Sequence, residues 1–381
     1  MTTFVFDEGA GPRIHAFLIA AGAYRAAQKP AASIQLQPLP GVVTSAVDFA
    51  GFLVERTDKL FYRLGSIELL ISDPHTAAGR ASWQGQTVDE PTLANINTAL
   101  QGWLQRLERD EKSMALFYAG GHGCYKAGII HYFAEDSGSW GDPLAQTIRL
   151  TSFQTGMSTK RAAYQWFIFD CCQDLPKEIQ RELEPTSGTN LLGTDSEQIR
   201  EAGQLRITAA NPGRQAFSGE KTHLMDALDM ALKNHAAGPV ANGWGVKPSL
   251  LMDAINYYGD KKYRDEWTTC TVSSNAYEID CLHRLDNPPE VDVVISTEPD
   301  DAYPEATIKL TDLRTQQIAQ DVNGVQCNWE PHNALNRQIT LFGGFYQATA
   351  SFDPGMGYTD SADLFQPLPP HFAFPLKVEE E

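Results

Sequence analysis

Two apolar runs end in residues that can do chemistry, and they constrain the fold more than any other feature of the sequence. The run 165–169 leads into Asp170–Cys172, and the run 113–119 leads into a Gly-Gly-His-Gly segment that contains His122. Continuous apolar runs of this length predict strands that are buried on both faces of a parallel sheet. In open α/β sheets, sites form just beyond the carboxyl ends of such strands. The sequence therefore predicts a Cys-His pair at one edge of a sheet.

The segments around these runs alternate between strand and helix patterns. Strand-like runs at 13–20 and 66–72 are separated by apolar residues at helical spacing from Thr44 onward, and a second helical pattern covers 93–107. This order predicts a mainly parallel sheet with helices on both faces.

The hydrophobic pattern of the sequence changes near residue 287. Short alternating runs follow, separated by turn residues, which predicts a small antiparallel β domain over residues 288–353, of β-sandwich type. The tail 354–381 is rich in proline and acidic residues and is expected to be extended or disordered. The runs are 291–296, 306–310, 338–342 and 346–352.

Composition limits the partners and the compartment. The 381 residues include 48 acidic and 30 basic residues, a formal net charge of −18. Such a surface repels phosphate backbones, so we expect no nonspecific binding to nucleic acid. The charge fits a soluble surface at least as well as an acidic site for a basic partner. The six cysteines show no disulfide or metal-ligand spacing, so we expect reduced thiols in the cytoplasm. The sequence shows neither a signal-peptide pattern nor an apolar run long enough to span a membrane, so we expect no membrane partner.

The motifs resemble those of metacaspases and related caspase-like cysteine peptidases. Phe117–Gly123 resembles the family's apolar strand followed by a small residue and Gly-His-Gly, and Phe169–Cys172 resembles its Asp-x-Cys motif. The histidine precedes the second cysteine by about 50 residues, the spacing known for caspases. Further similar segments, in the family's order, are 39–41, 131–136, 207–210 and 222–232.

The resemblance covers residues 12–285 and implies a caspase-like sheet of six mainly parallel strands. It implies that Cys172 is the nucleophile and that His122 is the general base and acid. The amides of Gly123 and Cys172 would bind the oxyanion. Asp170 would lie in the S1 pocket and select Arg or Lys at P1.

Three positions differ from the family's pattern. Thr44-Ser45 stands where the family has Asn-Asp, Gln173-Asp174 follows the nucleophile where a small residue is usual, and Gly120 replaces a serine. Asp174 would tune or obstruct the pocket. The polar stretch 175–203 is expected to be an activation or processing loop, with Lys177, Arg181 and Arg200 as self-cleavage sites.

The sequence therefore predicts a cysteine endopeptidase that acts on protein or peptide substrates through a thioester. Family resemblance implies a regulated enzyme of a stress or defence pathway, with an activating protein partner bound through the β domain. No cofactor and no metal site are expected, and calcium dependence is left open. Two alternatives remain at this stage, a pseudo-protease that acts as a scaffold or sensor and a thiol hydrolase of small molecules.

Overall fold

The computed structural model of the protein describes residues 2–7, 9–76, 80–139, 142, 144–160, 162–174, 188–192, 202–241, 243–274 and 281–380. The helices are α1 (Pro40–Glu55), α2 (Leu93–Leu107), α3 (Leu150–Met157), α4 (His223–Met230) and α5 (Leu251–Tyr263), with short helical segments at Ala231–His235, Pro248–Leu250, Arg264–Glu266 and Asp300–Glu305. The strands are β1 (Thr3–Val5), β2 (Ile14–Ala21), β3 (Leu64–Ser72), β4 (Ser82–Trp83), β5 (Gln86–Thr87), β6 (Met114–Gly121), β7 (Gly123–Lys126), β8 (Ile129–Phe133), β9 (Thr147–Arg149), β10 (Tyr164–Cys171), β11 (Gly203–Thr208), β12 (Ala237–Val240), β13 (Gly243–Val246), β14 (Thr271–Ser274), β15 (His283–Arg284), β16 (Glu290–Glu298), β17 (Thr307–Asp312), β18 (Gln317–Ile318), β19 (Asn328–Trp329), β20 (Asn336–Phe342), β21 (Tyr346–Ser351), β22 (Ser361–Phe365) and β23 (His371–Lys377).

The chain divides into two compact units. The first contains Met1–Asp229 and Tyr258–His283, and the second contains Met230–Tyr257 and Arg284–Glu381.

The first unit is built on a seven-stranded sheet in the order β1-β3-β2-β6-β10-β11-β14. The five central strands are parallel, which confirms the predicted mainly parallel sheet, and the two edge strands are antiparallel. The expected number of six strands is wrong. Both edge strands escaped prediction because each has only three or four residues. Strand β8 pairs with β7 and β9 in a separate sheet.

Aromatic side chains join the central strands to the helices. Phe17, Phe117 and Phe167 stand side by side on β2, β6 and β10, because the three strands pair in register. The ring of Phe17 lies 5.7 Å from that of Trp103 on α2, and the ring of Phe117 lies 4.7 Å from that of Phe153 on α3. This face of the sheet is therefore covered by α2 and α3.

Helix α1 covers the opposite face. Tyr118 alternates with Phe117 along β6, so the two side chains point to different faces. The ring of Tyr118 lies 6.3 Å from that of Phe49 on α1. Helix α1 begins at Pro40, before the helical pattern that starts at Thr44, because proline fits the first helical turn, where a missing N–H costs nothing.

The second unit contains two sheets of mostly antiparallel strands that share one apolar core. One sheet has the order β20-β16-β23 and the other β18-β17-β21-β22, with β19 paired to β17. Buried side chains from both sheets, including Val293, Leu310, Leu341 and Phe374, form the core.

The expected extended or disordered tail is corrected by the structure. Residues 361–365 and 371–377 form β22 and β23, and β23 pairs in parallel with β16. Its buried residues Phe374 and Leu376 alternate with exposed ones, which is a strand pattern that the proline content of the tail conceals.

The boundaries of the two units also differ from the expected 12–285 and 288–353. Residues 230–257 belong to the second unit, because the Asn234 side chain donates to the Glu290 carbonyl and accepts from the Glu290 amide at 3.2 and 3.1 Å. Tyr257 donates to Asp292 in the same unit. Among the described residues, no helix is both long enough and apolar enough to cross a membrane.

Candidate active site

His122 and Cys172 follow neighbouring strands at the same level of the sheet. In the parallel pairing of β6 and β10, Gly121 is opposite Cys171. His122 is the residue that follows β6, and Cys172 is the residue that follows β10. Neighbouring strands lie about 4.8 Å apart. The strand order reverses between β2 and β6, so the carboxyl end of β6, which leads into His122, borders the crevice where ligands bind in open α/β sheets.

The imidazole and the main chain of His122 are held by groups from three other segments. The His122 amide donates to the Tyr24 hydroxyl at 2.7 Å, and its carbonyl accepts from the Phe133 amide at 3.0 Å. Nε2 lies 2.8 Å from the Gln37 carbonyl oxygen. A carbonyl oxygen only accepts, so Nε2 carries the proton and Nδ1 of the neutral ring is free to accept one.

The environment of His122 keeps the ring neutral over a wide pH range. Burial lowers the pKa of His122, and the hydrogen bond to Gln37 and the charge of Asp174 oppose this effect. An imidazole that is neutral near pH 7 is competent as a general base.

Two glycines make the His122 turn possible. Gly121 has φ of +155°, and a Cβ at this position would collide with the Tyr24 hydroxyl and lie 3.0 Å from the Tyr132 ring. A Cβ at Gly123 would lie 2.7 Å from Sγ of Cys171 and 2.9 Å from the carbonyl oxygen of Cys172. The backbone after His122 therefore packs directly against the backbone of Cys172.

The thiol of Cys172 contacts the backbone of Ala216. Sγ accepts from the Ala216 amide at 3.3 Å and donates to the Ala216 carbonyl at 3.5 Å. Burial raises the pKa of Cys172 to about 11, and the charges of Asp174 and Asp170 add to the shift, while the Ala216 amide opposes it. The resting side chain is therefore a thiol that needs a base to become a nucleophile.

Asp170 is buried within a network of hydroxyl groups. Its side chain is 3% exposed, and Oδ2 accepts from Tyr118 Oη at 2.9 Å and from Thr222 Oγ1 at 2.6 Å. Burial raises the pKa of Asp170 to about 6, and these two hydrogen bonds oppose the shift. The Ser45 hydroxyl lies 3.2 Å from Thr222 Oγ1 and also accepts from the Thr222 amide. Ser45, one of the two residues in place of the family's Asn-Asp, thus belongs to the same network.

A cleft of about 630 Å³ is lined by ten residues, which include Asp174 but neither His122 nor Cys172. Gln215 and Phe217, the neighbours of Ala216, line it, and Gln215 Nε2 donates to Asp174 at 2.9 Å. Asp174 therefore forms part of a wall of the cleft. The lining residues are Asp174, Asn211, Gly213, Arg214, Gln215, Phe217, Asp265, Trp267, Thr268 and Thr269.

Sequence reasoning missed the residues that hold the predicted ones in place. Tyr24 and Gln37 contact His122, and Tyr118 and Thr222 contact Asp170. Thr222 could have been identified, because it stands directly before helix α4 and threonine is a residue type that caps helices. Gln37 contributes only a carbonyl, which every residue has, so its identity carries no signal.

Other parts of the predicted site have different outcomes. Residues 175–187 and 193–201, including Lys177, Arg181 and Arg200, lie outside the described residues. No group of three or more His, Cys, Asp or Glu side chains that could hold a metal ion is present in the described part of the chain. None of the six cysteines, all within the described ranges, forms a disulfide bond.

Comparison with known proteins finds a similar sequence and similar solved structures. No protein-family model matches it. A similar sequence is the uncharacterized protein y4kE of Sinorhizobium fredii, which is 28% identical over 201 residues. The match covers 51% of this chain and 57% of that protein, so the chain spans little more than half the length of this relative.

Two solved structures are similar at low identity. Protein GSU0716 from Geobacter sulfurreducens has a TM-score of 0.44 and 11% identity, over 72% of this chain and 97% of that one. Caspase-1 from Spodoptera frugiperda has a TM-score of 0.39 and 10% identity, over 72% of this chain and 91% of that one. Both TM-scores are below 0.5, too low to assign the chain to a fold family.

Proposed function

We propose that the protein is a caspase-like cysteine endopeptidase that uses a Cys172-His122 dyad. One observation carries this proposal: the two residues follow paired ends of neighbouring parallel strands, and Gly123 packs on the Cys172 carbonyl. A dyad needs its two groups on separate rigid elements with a fixed spacing, and adjacent strand ends provide both.

In the proposed reaction, His122 activates the thiol during attack. Sγ of Cys172 bonds to the substrate carbonyl carbon while its proton passes to Nδ1 of His122. The C–N bond then breaks, and the same proton goes to the leaving amine, which leaves a thioester on Cys172. Water attacks the thioester and gives a proton to Nδ1. The C–S bond then breaks, and the proton returns to sulfur.

The raised pKa of Cys172 assigns a specific task to His122 in this reaction. A thiol with a pKa of about 11 is almost entirely protonated at neutral pH. Proton transfer must therefore accompany attack. The negative oxygen of the tetrahedral intermediate would accept hydrogen bonds from the amides of Gly123 and Cys172, which the packing of Gly123 keeps close together.

We propose a basic P1 residue, with Asp170 behind the S1 pocket. Support comes from the position of Asp170 two residues before the nucleophile, and from Asp174 and Asp265 in the cleft. Because Asp170 is buried and bonded to Tyr118 and Thr222, it would act through these hydroxyls or after a shift on substrate binding. The pocket would disfavour an acidic P1 residue.

We further propose that the enzyme works in the cytoplasm without a cofactor, as a regulated effector of a stress or defence pathway. An activating protein would bind the β-rich second unit. The stretch 175–203 would be the processing loop. Calcium is included in the assays below because its effect is open.

A positional scan of P1 in fluorogenic peptides tests the proposal. We expect wild type to cleave after Arg or Lys, Cys172→Ala to be inactive, and the matched control Cys171→Ala to retain cleavage, because Cys171 is buried against Gly123. No cleavage by wild type, with or without calcium, would refute the peptidase proposal. Cleavage after Asp would refute the role of Asp170.

One observation favours a second candidate, a catalytically weak pseudo-protease that acts as a scaffold or sensor. Two carboxylates, Asp170 and Asp174, raise the pKa of the Cys172 thiol further above the value set by burial. The scan separates the candidates, because a scaffold would bind through its second unit while cleaving no peptide.

A further inference from the structure

A turn at residues 22–25 connects the end of β2 to both sides of His122. Tyr24 lies at its centre, fully buried, with φ of +49°, a conformation that is uncommon for residues other than glycine. Strained backbone of this kind persists where surrounding contacts fix it, and it concentrates at functional sites.

The first connection runs through the Tyr24 side chain. Its hydroxyl accepts from the His122 amide at 2.7 Å and donates to the Phe133 carbonyl at 3.2 Å. The Tyr24 ring also lies 5.0 Å from the imidazole, centroid to centroid. Tyr24 therefore sets the position of the His122 backbone and one face of its ring.

The second connection runs through the backbone of the turn. The Gly22 carbonyl accepts from the Leu39 amide at 2.8 Å, which fixes the segment whose Gln37 carbonyl accepts from Nε2 of His122. The same turn therefore controls the hydrogen bond that selects the ring tautomer.

A buried carboxylate and a hydroxyl hold the turn itself. Glu135 accepts from the amides of Tyr24 and Arg25 at 2.9 and 3.2 Å, and Ser72 Oγ accepts from the amides of Gly22 and Ala23 at 2.9 and 3.2 Å. The Ser72 hydroxyl donates to Glu135. Four successive amides are thus bound by two linked side chains, and Glu135 is only 5% exposed.

We infer that Glu135 is a positioning residue for His122, acting through Tyr24 and the 22–25 turn. This inference rests on the proposed function, since it assigns a role in preparing the base of that reaction. A carboxylate at this depth is costly unless it is hydrogen-bonded, and its donors come from the turn. Its effect is to hold the His122 ring with Nε2 on the Gln37 carbonyl, so that Nδ1 is free to accept a proton before substrate arrives.

The test uses Glu135→Gln and Tyr24→Phe in the full chain, with two measurements. The first is kcat and KM on the best peptide, and the second is the rate of Cys172 alkylation by iodoacetamide against pH. Cys172 is the only half-buried cysteine of the six, all within the described residues, so alkylation reports on it, and Cys172→Ala provides the blank.

We expect Glu135→Gln to lower kcat by about tenfold or more and to change KM by less than about twofold, since a misplaced base impairs chemistry and leaves binding intact. Tyr24→Phe, which removes one hydroxyl, should lower kcat by about threefold to tenfold. The alkylation rate at pH 7 should fall by similar factors. The double variant should lose less than the product of the single losses, because both residues act through one turn.

Two controls separate positioning from a general loss of structure. Glu90→Gln removes an ion pair to the Arg25 guanidinium at the same turn but leaves the turn amides bound, and Tyr346→Phe removes a buried hydroxyl in the second unit. Both should keep kcat within about twofold of wild type. Equal losses in Glu90→Gln and Glu135→Gln, or multiplicative losses in the double variant, would overturn the inference.

The design also works if one variant or the proposed function fails. If Glu135→Gln does not fold, Tyr24→Phe decides, because a buried ring of the same shape remains. If wild type cleaves no peptide, the proposed function is refuted, and the alkylation rates alone judge the positioning of His122. Unchanged alkylation in both variants would then refute the positioning role as well.

Discussion

The ends of β6 and β10 are held in different ways. At the end of β6, the His122 amide, carbonyl and ring nitrogen each bond to a different segment. At the end of β10, the Cys172 thiol is bonded by Ala216 alone of the described residues, and its pKa is about 11. The orientation of His122, the proposed base, is therefore fixed by the fold, whereas Cys172, the proposed nucleophile, must still lose its proton.

The largest expected effect comes from His122→Gln. The glutamine amide can still donate to the Gln37 carbonyl, but it cannot take the thiol proton, so kcat/KM should fall by about a thousandfold. The matched control is His131→Gln, because His131 is buried and bonds Thr147 instead. Peptide hydrolysis by the purified variants is the measurement. Activity of His122→Gln within about tenfold of wild type would show that the ends of β6 and β10 do not work as a pair.

Asp170→Asn tests the buried carboxylate behind the nucleophile. Burial raises the pKa of Asp170 from 3.8 to about 6, so between these values the folded protein binds the proton more tightly than the unfolded chain does. The wild-type free energy of unfolding should therefore fall as pH rises from about 4 to 6, by about 3 kcal/mol. The Asp170→Asn variant, which has no proton to lose at this position, should not show this fall.

Urea unfolding at pH 4 and pH 8 measures this difference. Parallel pH dependence of the two proteins would contradict it. The P1 scan on the same variant supplies a second reading, in which the preference of wild type for Arg over its neutral isostere citrulline should strengthen as pH rises through about 6.

Gly123→Ala tests the contact between the two strand ends. The new Cβ would lie 2.7 Å from the Cys171 sulfur and 2.9 Å from the Cys172 carbonyl oxygen, so one backbone must move. We expect kcat to fall by about tenfold. Gly51→Ala is the control, because its Cβ on α1 meets nothing within 4 Å. An equal kcat in both variants would mean that the close packing has no role in catalysis.

The smallest effect is expected for Asp174→Asn. The charge of Asp174 raises the pKa of both His122 and Cys172, so its removal lowers both. The acid limb of kcat/KM against pH, which reports the neutral form of His122, should move to lower pH by about 0.3 unit. Asp265→Asn, in the same cleft, should leave that limb in place. A move to higher pH would contradict the assignment.

The sequence predicts the parts of the site that local pattern determines. Apolar runs ending at Ala119 and Phe169 were enough to predict neighbouring parallel strands with His122 and Cys172 just beyond their ends. The supporting contacts join residues far apart in the chain. Ser45 meets Thr222 across 177 residues, and Tyr24 meets Glu135 across 111. Periodicity carries no information about such pairs.

Two strands that escaped prediction show the same limit. The three-residue β1 pairs with β3, and the proline-containing β23 pairs with β16. Their pairing is decided by tertiary structure, so local propensity could not predict it.

The environment of the Cys172 thiol also has a consequence for its survival in the cell. Peroxides oxidise thiolates and leave thiols largely intact, and a pKa of about 11 keeps only about one Cys172 side chain in ten thousand ionised at pH 7. The resting protein should therefore tolerate an oxidative burst that inactivates peptidases with pre-ionised cysteines. In the proposed reaction the proton leaves sulfur only as sulfur bonds to the substrate, so turnover would not expose a free thiolate either.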